Sequence, residues 1–234
     1  MIKKKILCII PARGGSKGIP YKNIKHLCGK PLILYSLDVA RQIFEDEDIC
    51  VTTEDQKIID VVETCGIQAP FVRPQCLSTD EATTQDVLIH ALDFYQQKDV
   101  YYDIVLLLQP TSPFRLKRHI EEAINLYSDS CDMVVSVRDA SANPYYNLFE
   151  EDEFGYLHIS KGKGSYTRRQ DAPKVWEYNG SIYTINSKSL KTSRMSDFSR
   201  IIKYPMENIY SIDIDMSLDW IIAEELIKNK VIEL

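Results

Sequence analysis

Residues 6–23 read ILCIIPARGGSKGIPYKN, a wholly apolar run that leads directly into a glycine-rich basic loop. A continuously apolar strand such as Ile6–Ile10 is typical of a parallel sheet that is covered on both faces. Glycine lets the backbone approach an anion closely, so successive N–H groups can surround phosphate oxygens. Arg13, Lys17 and Lys22 add positive charge where a triphosphate or pyrophosphate would lie. The loop has the spacing of neither a P-loop nor the dinucleotide fingerprint, and the alternative interpretation is a glycine-rich turn with solvated lysines.

The rest of the chain repeats apolar runs in alternation with helical patterns. The predicted strands are Ile6–Ile10, Ile49–Thr53, Phe71–Val72, Ile104–Leu108, Met133–Val137, Ser181–Ile185 and Tyr210–Ile214. The predicted helices are Leu32–Phe44, Gln56–Cys65, Thr84–Gln97, Lys117–Tyr127 and Leu218–Asn229. This alternation predicts a three-layer α/β fold with a mostly parallel, Rossmann-like sheet. Ligands bind such sheets beyond the carboxyl ends of the strands, where the glycine-rich loop lies.

The alternation stops between residues 141 and 178, which are polar and aromatic. Glu153-Phe154-Gly155 has the composition of a hairpin turn, with Leu148–Phe149 and Tyr156–Ile159 as its arms. A lone hairpin is only marginally stable in water, so we expect this insert to pack on another surface, most simply a second copy of the chain. The predicted organisation is therefore one domain formed by residues 1–140 and 179–234, interrupted by the insert 141–178.

Composition narrows the possible partners of this 234-residue chain. A net charge of −6 leaves no basic surplus for general nucleic-acid binding. The apolar run before Pro11, about five residues, is too short for a signal peptide or a membrane span. The six cysteines form no Cys-x-x-Cys pair and have no neighbouring histidine cluster. We therefore expect a cytoplasmic protein that binds a small anionic ligand and neither nucleic acid nor membrane.

Ser211-Ile212-Asp213-Ile214-Asp215 is the second informative segment. In a strand, residues i and i+2 point to the same face, so Asp213 and Asp215 would project together. Two carboxylates on one face repel each other unless a cation lies between them. Mg²⁺ bound by one or two carboxylates and by substrate phosphates is the usual arrangement in nucleotide enzymes. The alternative is that Asp215 or Ser217 caps the following helix.

Polar turns elsewhere supply further candidates. Gln109 opens the turn QPTSPFR at the end of a buried strand, and its amide could bind a base edge of cytosine or uracil, unless this is an ordinary loop. The N-terminus of the helix that begins near Thr84 could attract phosphate or a ribose hydroxyl, although simple capping explains the same residues. Arg168-Arg169-Gln170 in the insert suits an acidic ligand or forms a solvated charge pair. Asn179-Gly180 is predicted to be a turn.

Taken together, these segments resemble the acylneuraminate cytidylyltransferases. They occur in that family's order along nearly the whole chain, at residues 11–18, 20–23, 29–32, 73–74, 108–115, 179–183 and 211–215. The resemblance implies a nucleotidyltransferase sheet and a reaction in which CTP and a nine-carbon 2-keto sugar acid give a CMP-sugar and pyrophosphate. It also implies Mg²⁺ as cofactor. In this family the anomeric hydroxyl attacks the α-phosphorus directly.

The resemblance assigns roles residue by residue. Residues expected to hold the phosphates and stabilise the departing pyrophosphate are Arg13, Lys17 and Lys22. Residues expected to contact the nucleotide are Ala12, Arg13, Gly14, Ser16, Asn23, Arg73 and Thr84. Residues expected at the sugar acid are Gln109, Thr111, Ser112, Arg169 and Tyr183, which places Gln109 at the sugar and not at the base. The expected magnesium ligands are Asp213 and Asp215.

The insert matches the family's dimerisation segment, so the resemblance implies a homodimer in which Arg169 reaches the sugar pocket of the neighbouring protomer. The chain departs from the family at Tyr146, where the bacterial enzymes carry lysine, and at Glu177, where some carry arginine. Both positions lie in the segment expected to touch the sugar. N-acetylneuraminate, KDN, legionaminate and pseudaminate therefore all stay open as acceptors.

Three other functions are alternatives to activation of a nine-carbon acid. An enzyme for the eight-carbon acid Kdo would resemble the chain mainly at the first loop. A nucleotide-sugar glycosyltransferase usually carries its Asp-x-Asp pair in mid-chain, whereas Asp213 and Asp215 lie near the end. An inactive nucleotide-binding protein would be expected to lose at least one of Arg13, Lys17, Asp213 and Asp215, and all four are present.

Overall fold

A computed structural model describes residues 4–16 and 18–232 of the chain. The strands in these residues are β1 (Ile6–Pro11), β2 (His26–Leu27), β3 (Lys30–Pro31), β4 (Ile49–Thr52), β5 (Ile104–Leu108), β6 (Met133–Asp139), β7 (Phe149–Glu151), β8 (Leu157–Ile159), β9 (Trp176–Asn186) and β10 (Ile201–Pro205). The α-helices are α1 (Leu32–Arg41), α2 (Gln56–Glu63), α3 (Thr84–Gln96), α4 (Lys117–Asn125), α5 (Ser187–Thr192) and α6 (Ser217–Lys228).

The central sheet has six strands in the order β10-β6-β9-β5-β1-β4. Strands β10 and β6 are parallel, as are β5, β1 and β4, whereas β9 runs antiparallel to both of its neighbours. Helices cover both faces, and the side chains of β1 alternate between two apolar clusters, with Cys8 and Ile10 on one face and Leu7 and Ile9 on the other. The expected three-layer, mostly parallel α/β fold is therefore confirmed.

Two of the predicted strands are wrong. Phe71–Val72 is not a strand, because Val72 forms only an isolated bridge with Thr53. Tyr210–Ile214 is not a strand, because Ile212 and Ile214 pack into a third apolar cluster with Trp220 of α6. The alternation in that segment reflects burial beneath a helix and not pairing in a sheet. The strand of the central sheet that sequence analysis missed is β10 (Ile201–Pro205), one of the two edge strands, which pairs only with β6.

Asn179-Gly180 is not a turn but lies inside β9, where the register against β6 shifts between Val135 and Val137. The irregularity is stabilised by Ser136, whose hydroxyl donates to Asn179 Oδ1 (2.6 Å) and accepts from the Ile182 N–H (2.7 Å). Gly180 has φ +72°, in the left-handed region that favours glycine. The bulge therefore bends β9 at Asn179-Gly180, near the edge of the sheet where β5 and β6 end.

The predicted hairpin of the insert is present as the antiparallel pair β7–β8, which forms a separate two-stranded sheet. Its apolar side chains lie largely in solvent in the single chain. The exposed fractions are 43% for Leu148, 53% for Phe149, 75% for Phe154, 68% for Tyr156 and 64% for Leu157. Across the described ranges, none of the helices combines the length and hydrophobicity needed to cross a bilayer.

Candidate active site

A cavity of about 610 Å³ opens at the carboxyl ends of β1 and β5, between the glycine-rich loop and the N-terminus of α3. Many of the residues predicted from the sequence line it, namely Ala12, Arg13, Ser16, Lys22, Asn23, Arg73, Thr84, Gln109, Thr111 and Asp215. Lys17 lies outside the described residues. The cavity is large enough for a nucleotide and lies where α/β sheets bind ligands.

Arg13 lies at the mouth of this cavity and joins its two sides. Its guanidinium donates to Asp80 Oδ1 at 2.8 Å, and both side chains are partly exposed. Asp80 belongs to the segment that leads into α3, whose start is fixed by a capping box between Thr83 and Asp86. An incoming phosphate would therefore meet an arginine that already has a carboxylate partner.

The loop backbone is held from below by two buried polar side chains. Arg73 donates to the Ala12 carbonyl (3.0 Å), to Ser78 Oγ (3.0 Å) and to Glu54 Oε2 (2.6 Å). Glu54 also accepts the Gly14 N–H at 2.8 Å. Arg73 and Gly14 were both predicted to contact the nucleotide, and the structure uses these groups to shape the loop. No sequence motif marks Glu54, which sequence reasoning missed.

Asn23 and Lys22 continue this bracing on the other side of the loop. Asn23 Nδ2 donates to the Arg13 carbonyl at 3.0 Å. Lys22 Nζ donates to the Ile214 carbonyl (2.7 Å) and to Asp215 Oδ1 (3.0 Å), and its side chain is only 11% exposed. Lys22 thus connects the predicted phosphate loop to the predicted metal ligands, which are distant in sequence.

Asp213 lies on the inner side of the same segment, outside the lining of the main cavity. Its Oδ1 faces Ser112 Oγ at 3.4 Å, and Thr111 also donates to it. Burial raises the pKa of Asp213 and the charge of Asp215 raises it further, while the hydrogen bond from Thr111 and the charge of Lys22 offset part of this rise. The negative charge of Asp213 is therefore incompletely compensated by the chain itself.

The side chains of Asp213 and Asp215 suit a divalent cation that needs only one or two protein carboxylates. In the described residues, no group of three or more His, Cys, Asp or Glu side chains is arranged to hold a metal ion. Asp213 and Asp215 therefore cannot form an all-protein cage, but Mg²⁺ commonly takes one or two carboxylates together with substrate phosphates and water. The incompletely compensated charge of Asp213 is the feature of the structure that such an ion would satisfy.

The Gln109 turn is fixed by a residue whose importance the sequence did not reveal. Arg115 is buried and donates to the Gln109 carbonyl, to Ser36 Oγ (2.6 Å) and to Ser181 Oγ (3.1 Å). Burial lowers the pKa of its guanidinium to about 9. Because Arg115 ties α1 and β9 to this carbonyl, it holds Gln109 at the rim of the cavity.

Three of the predicted sugar residues lie outside the lining of the main cavity, namely Ser112, which faces Asp213, and the more distant Tyr183 and Arg169. Tyr183 is on β9, and burial together with the charge of Asp213 raises its pKa to about 12, so its hydroxyl is a neutral group beside that carboxylate. Arg169 is exposed, donates to the Ala140 carbonyl, and borders a second cavity of about 400 Å³ at the base of the insert. Within one protomer the structure does not bring Arg169 to Gln109 and Asp213.

The chain belongs to the cytidylyltransferase family, whose family model matches residues 7–230. A solved structure of CMP:2-keto-3-deoxy-manno-octonic acid synthetase complexed with CTP superposes with a TM-score of 0.70 and covers 97% of this chain and 99% of its own, at 18% identity. That likeness confirms the nucleotidyltransferase fold.

Two relatives identify the particular kind of cytidylyltransferase. The chain is 36% identical to the CMP-N,N'-diacetyllegionaminic acid synthase of Legionella pneumophila, over 96% of this chain and 97% of that protein. It is also 36% identical to an N-acylneuraminate cytidylyltransferase of Streptococcus agalactiae, over 93% of this chain and 52% of that longer protein. The resemblance to the acylneuraminate cytidylyltransferases is thereby confirmed, and the chain is an enzyme of this nucleotidyltransferase type.

Proposed function

We propose that this chain activates a nine-carbon 2-keto sugar acid with CTP and releases pyrophosphate. The observation that carries the proposal is the Lys22 contact, which joins the basic glycine-rich loop to Asp215 at one edge of the sheet. The basic side chains of Arg13 and Lys22 therefore face one cavity together with Asp215, and Asp213 lies on the inner side of the same segment. This combination suits transfer of a phosphoryl-type group, where catalysis is mainly positioning and charge stabilisation.

The chain's own residues would divide the work as follows. Arg13 and Lys22, with Lys17 as the sequence predicts, hold the triphosphate and stabilise the charge that develops on pyrophosphate. Gln109 and Thr111 border the place where the sugar acid would meet the α-phosphorus. The anomeric hydroxyl attacks that phosphorus, the bond to the pyrophosphate oxygen breaks, and the hydroxyl proton passes to solvent water.

Magnesium is the cofactor we propose for this site. Asp213 and Asp215 would hold it, and the bound ion would neutralise phosphate charge and polarise the attacking oxygen. The raised pKa of Asp213 supports this assignment, because it shows that the chain alone does not fully stabilise the ionised carboxylate. An adjacent cation would supply that stabilisation.

A panel of acids tests the activity and names the acceptor. Pyrophosphate release is measured with CTP and Mg²⁺ and, in parallel, N-acetylneuraminate, KDN, legionaminate, pseudaminate or Kdo. We expect turnover with one or more of the nine-carbon acids and none with Kdo. Turnover with Kdo alone, or with none of the five acids, would contradict the proposal.

We further propose that the enzyme works as a homodimer whose insert completes the site of the neighbouring protomer. Support comes from the exposed apolar side chains of the β7–β8 hairpin and from Arg169, which lies away from its own main cavity. Complementation tests this arrangement. At a sugar-acid concentration near the wild-type KM, Asp213→Asn subunits are expected to be inactive and Arg169→Ala subunits to be strongly impaired. Mixed dimers carry one intact site and should recover activity at that concentration. Lack of recovery in verified mixed dimers would show that each site uses residues of one chain.

A further inference from the structure

Glu54 follows β4, the edge strand next to β1, and its side chain reaches beneath the glycine-rich loop. The side chain is only 10% exposed, yet both carboxylate oxygens have strong donors. Oε1 accepts the Gly14 N–H at 2.8 Å, and Oε2 accepts from Arg73 at 2.6 Å. Arg73 is itself 4% exposed, so this is a buried ion pair with hydrogen bonds on both sides.

The loop lies directly on this pair. A Cβ atom at Gly14 would overlap the Asp55 carboxylate, so the backbone at this position approaches residues 54–55 as closely as glycine allows. The same approach points the Gly14 N–H at Glu54. An amide that seemed suited to a phosphate oxygen is therefore already occupied by a carboxylate of the protein.

These hydrogen bonds restrain the backbone on both sides of Arg13. The Ala12 carbonyl is held by Arg73, the Gly14 N–H is held by Glu54, and the Arg13 carbonyl accepts from Asn23. Because these bonds fix the backbone on both sides, the Arg13 side chain leaves the loop in one direction, toward the cavity. A flexible loop would instead lose conformational entropy each time a nucleotide binds.

We propose that Glu54 is a positioning residue for CTP: it fixes the backbone of the glycine-rich loop through Gly14 and Arg73, and thereby presents Arg13 to the triphosphate. This inference rests on the proposed function for the identity of the ligand. Glu54 would contribute to CTP binding without touching the nucleotide itself. Gly14 then contributes by its lack of a side chain, and the phosphates are bound by Arg13 and the other donors of the loop.

The inference is tested by Glu54→Gln, which keeps the size of the side chain but removes its charge, with Glu63→Gln on the exposed end of α2 as the matched control. CTP binding is measured by titration calorimetry without sugar acid, beside steady-state kinetics and melting temperature. We expect Glu54→Gln to weaken CTP binding and raise the KM for CTP by about 10-fold to 100-fold, by analogy with residues that orient the ligands of metal sites. KM for the sugar acid is expected to stay within about twofold of wild type, whereas kcat should fall, because Arg13 also stabilises the charge on the departing pyrophosphate. Glu63→Gln should match wild type throughout.

Other outcomes separate the possibilities. A folded Glu54→Gln variant with wild-type CTP affinity and a lower melting temperature would show a structural role only and overturn the inference. Equal losses for CTP and for the sugar acid would overturn it as well. If the glutamine variant fails to fold, Glu54→Asp, which keeps the charge on a shorter side chain, is expected to fold and to show the same selective loss for CTP. Failure of the wild-type chain to bind CTP would count against the proposed function instead.

Discussion

Substitution of Gly180 by alanine tests the link between the β9 bulge and the aspartate pair. A Cβ at this position would lie 2.9 Å from Asp213 Oδ2 and 3.1 Å from Ser112 Oγ. Both distances are shorter than ordinary van der Waals contacts, so the carboxylate of Asp213 has to move. The residue also has φ +72°, a conformation that alanine adopts only with strain.

Two effects of different size follow. The left-handed backbone conformation costs about 1–2 kcal/mol for a residue with a Cβ. In a chain of this size that corresponds to a melting temperature lower by about 2 to 8 °C. Displacement of a catalytic group by about 1 Å can lower kcat by about 100-fold, because the reacting atoms lose their alignment. We therefore expect Gly180→Ala to lose far more activity than stability.

Gly29→Ala is the matched control. Gly29 also has positive φ, +90°, but a Cβ there would have no atom within 4 Å. It should share the lower melting temperature of Gly180→Ala and keep wild-type kcat. The assays are thermal denaturation and pyrophosphate release with saturating CTP and sugar acid. Wild-type kcat in Gly180→Ala, together with the expected fall in melting temperature, would refute the idea that the bulge places Asp213.

Three further substitutions address the metal site, the insert and the Gln109 turn. Burial and the charge of Asp215 raise the pKa of Asp213, so the folded state disfavours its ionised form at neutral pH. Asp213→Asn should therefore raise the melting temperature at pH 7 without metal, and this gain should disappear below about pH 4, where the aspartate is protonated in the unfolded chain as well. The same substitution should abolish Mg²⁺-dependent turnover. Arg169→Ala should raise the KM for the sugar acid by roughly 10-fold to 100-fold and leave the KM for CTP nearly unchanged, as expected for loss of a hydrogen bond to a charged group. Arg115→Lys should lower the free energy of unfolding in urea by about 2 kcal/mol, because the Gln109 carbonyl is left without its donor.

Each of these has a contrary outcome. A lower melting temperature in Asp213→Asn at pH 7 would show that its charge is well compensated in the folded chain. An Arg169→Ala variant impaired only toward CTP would make Arg169 a phosphate ligand. Wild-type stability in Arg115→Lys would show that an ammonium group can replace the guanidinium at this buried site.

The sheet was largely predictable because its central strands are buried on both faces. Strands β1, β4 and β5 are continuous apolar runs, and the helices between them keep their apolar spacing. Strand Ile201–Pro205 was missed because an edge strand needs only one partner and tolerates Lys203 and a terminal proline. The segment Ile212–Ile214 was wrongly predicted as a strand because an extended segment that packs against a helix can show the same alternation of apolar residues as a strand in a sheet.

The site was predictable where charge density or an ordered motif marked it, as at Arg13, Lys22 and Asp215. It was not predictable where the shape of the candidate site depends on contacts between distant segments. Glu54 and Arg115 belong to ordinary-looking sequence, and only the fold shows that each ends beneath a loop of the cavity.

The most direct test of the proposed chemistry is ³¹P NMR of a reaction containing the enzyme, CTP, Mg²⁺ and a nine-carbon sugar acid whose anomeric oxygen carries ¹⁸O. Direct attack of the sugar hydroxyl predicts pyrophosphate and a CMP phosphodiester in equal amounts, with the label retained in the bridge to the α-phosphorus. Release of orthophosphate, or a CMP product without the label, would contradict direct attack of the sugar hydroxyl at this site.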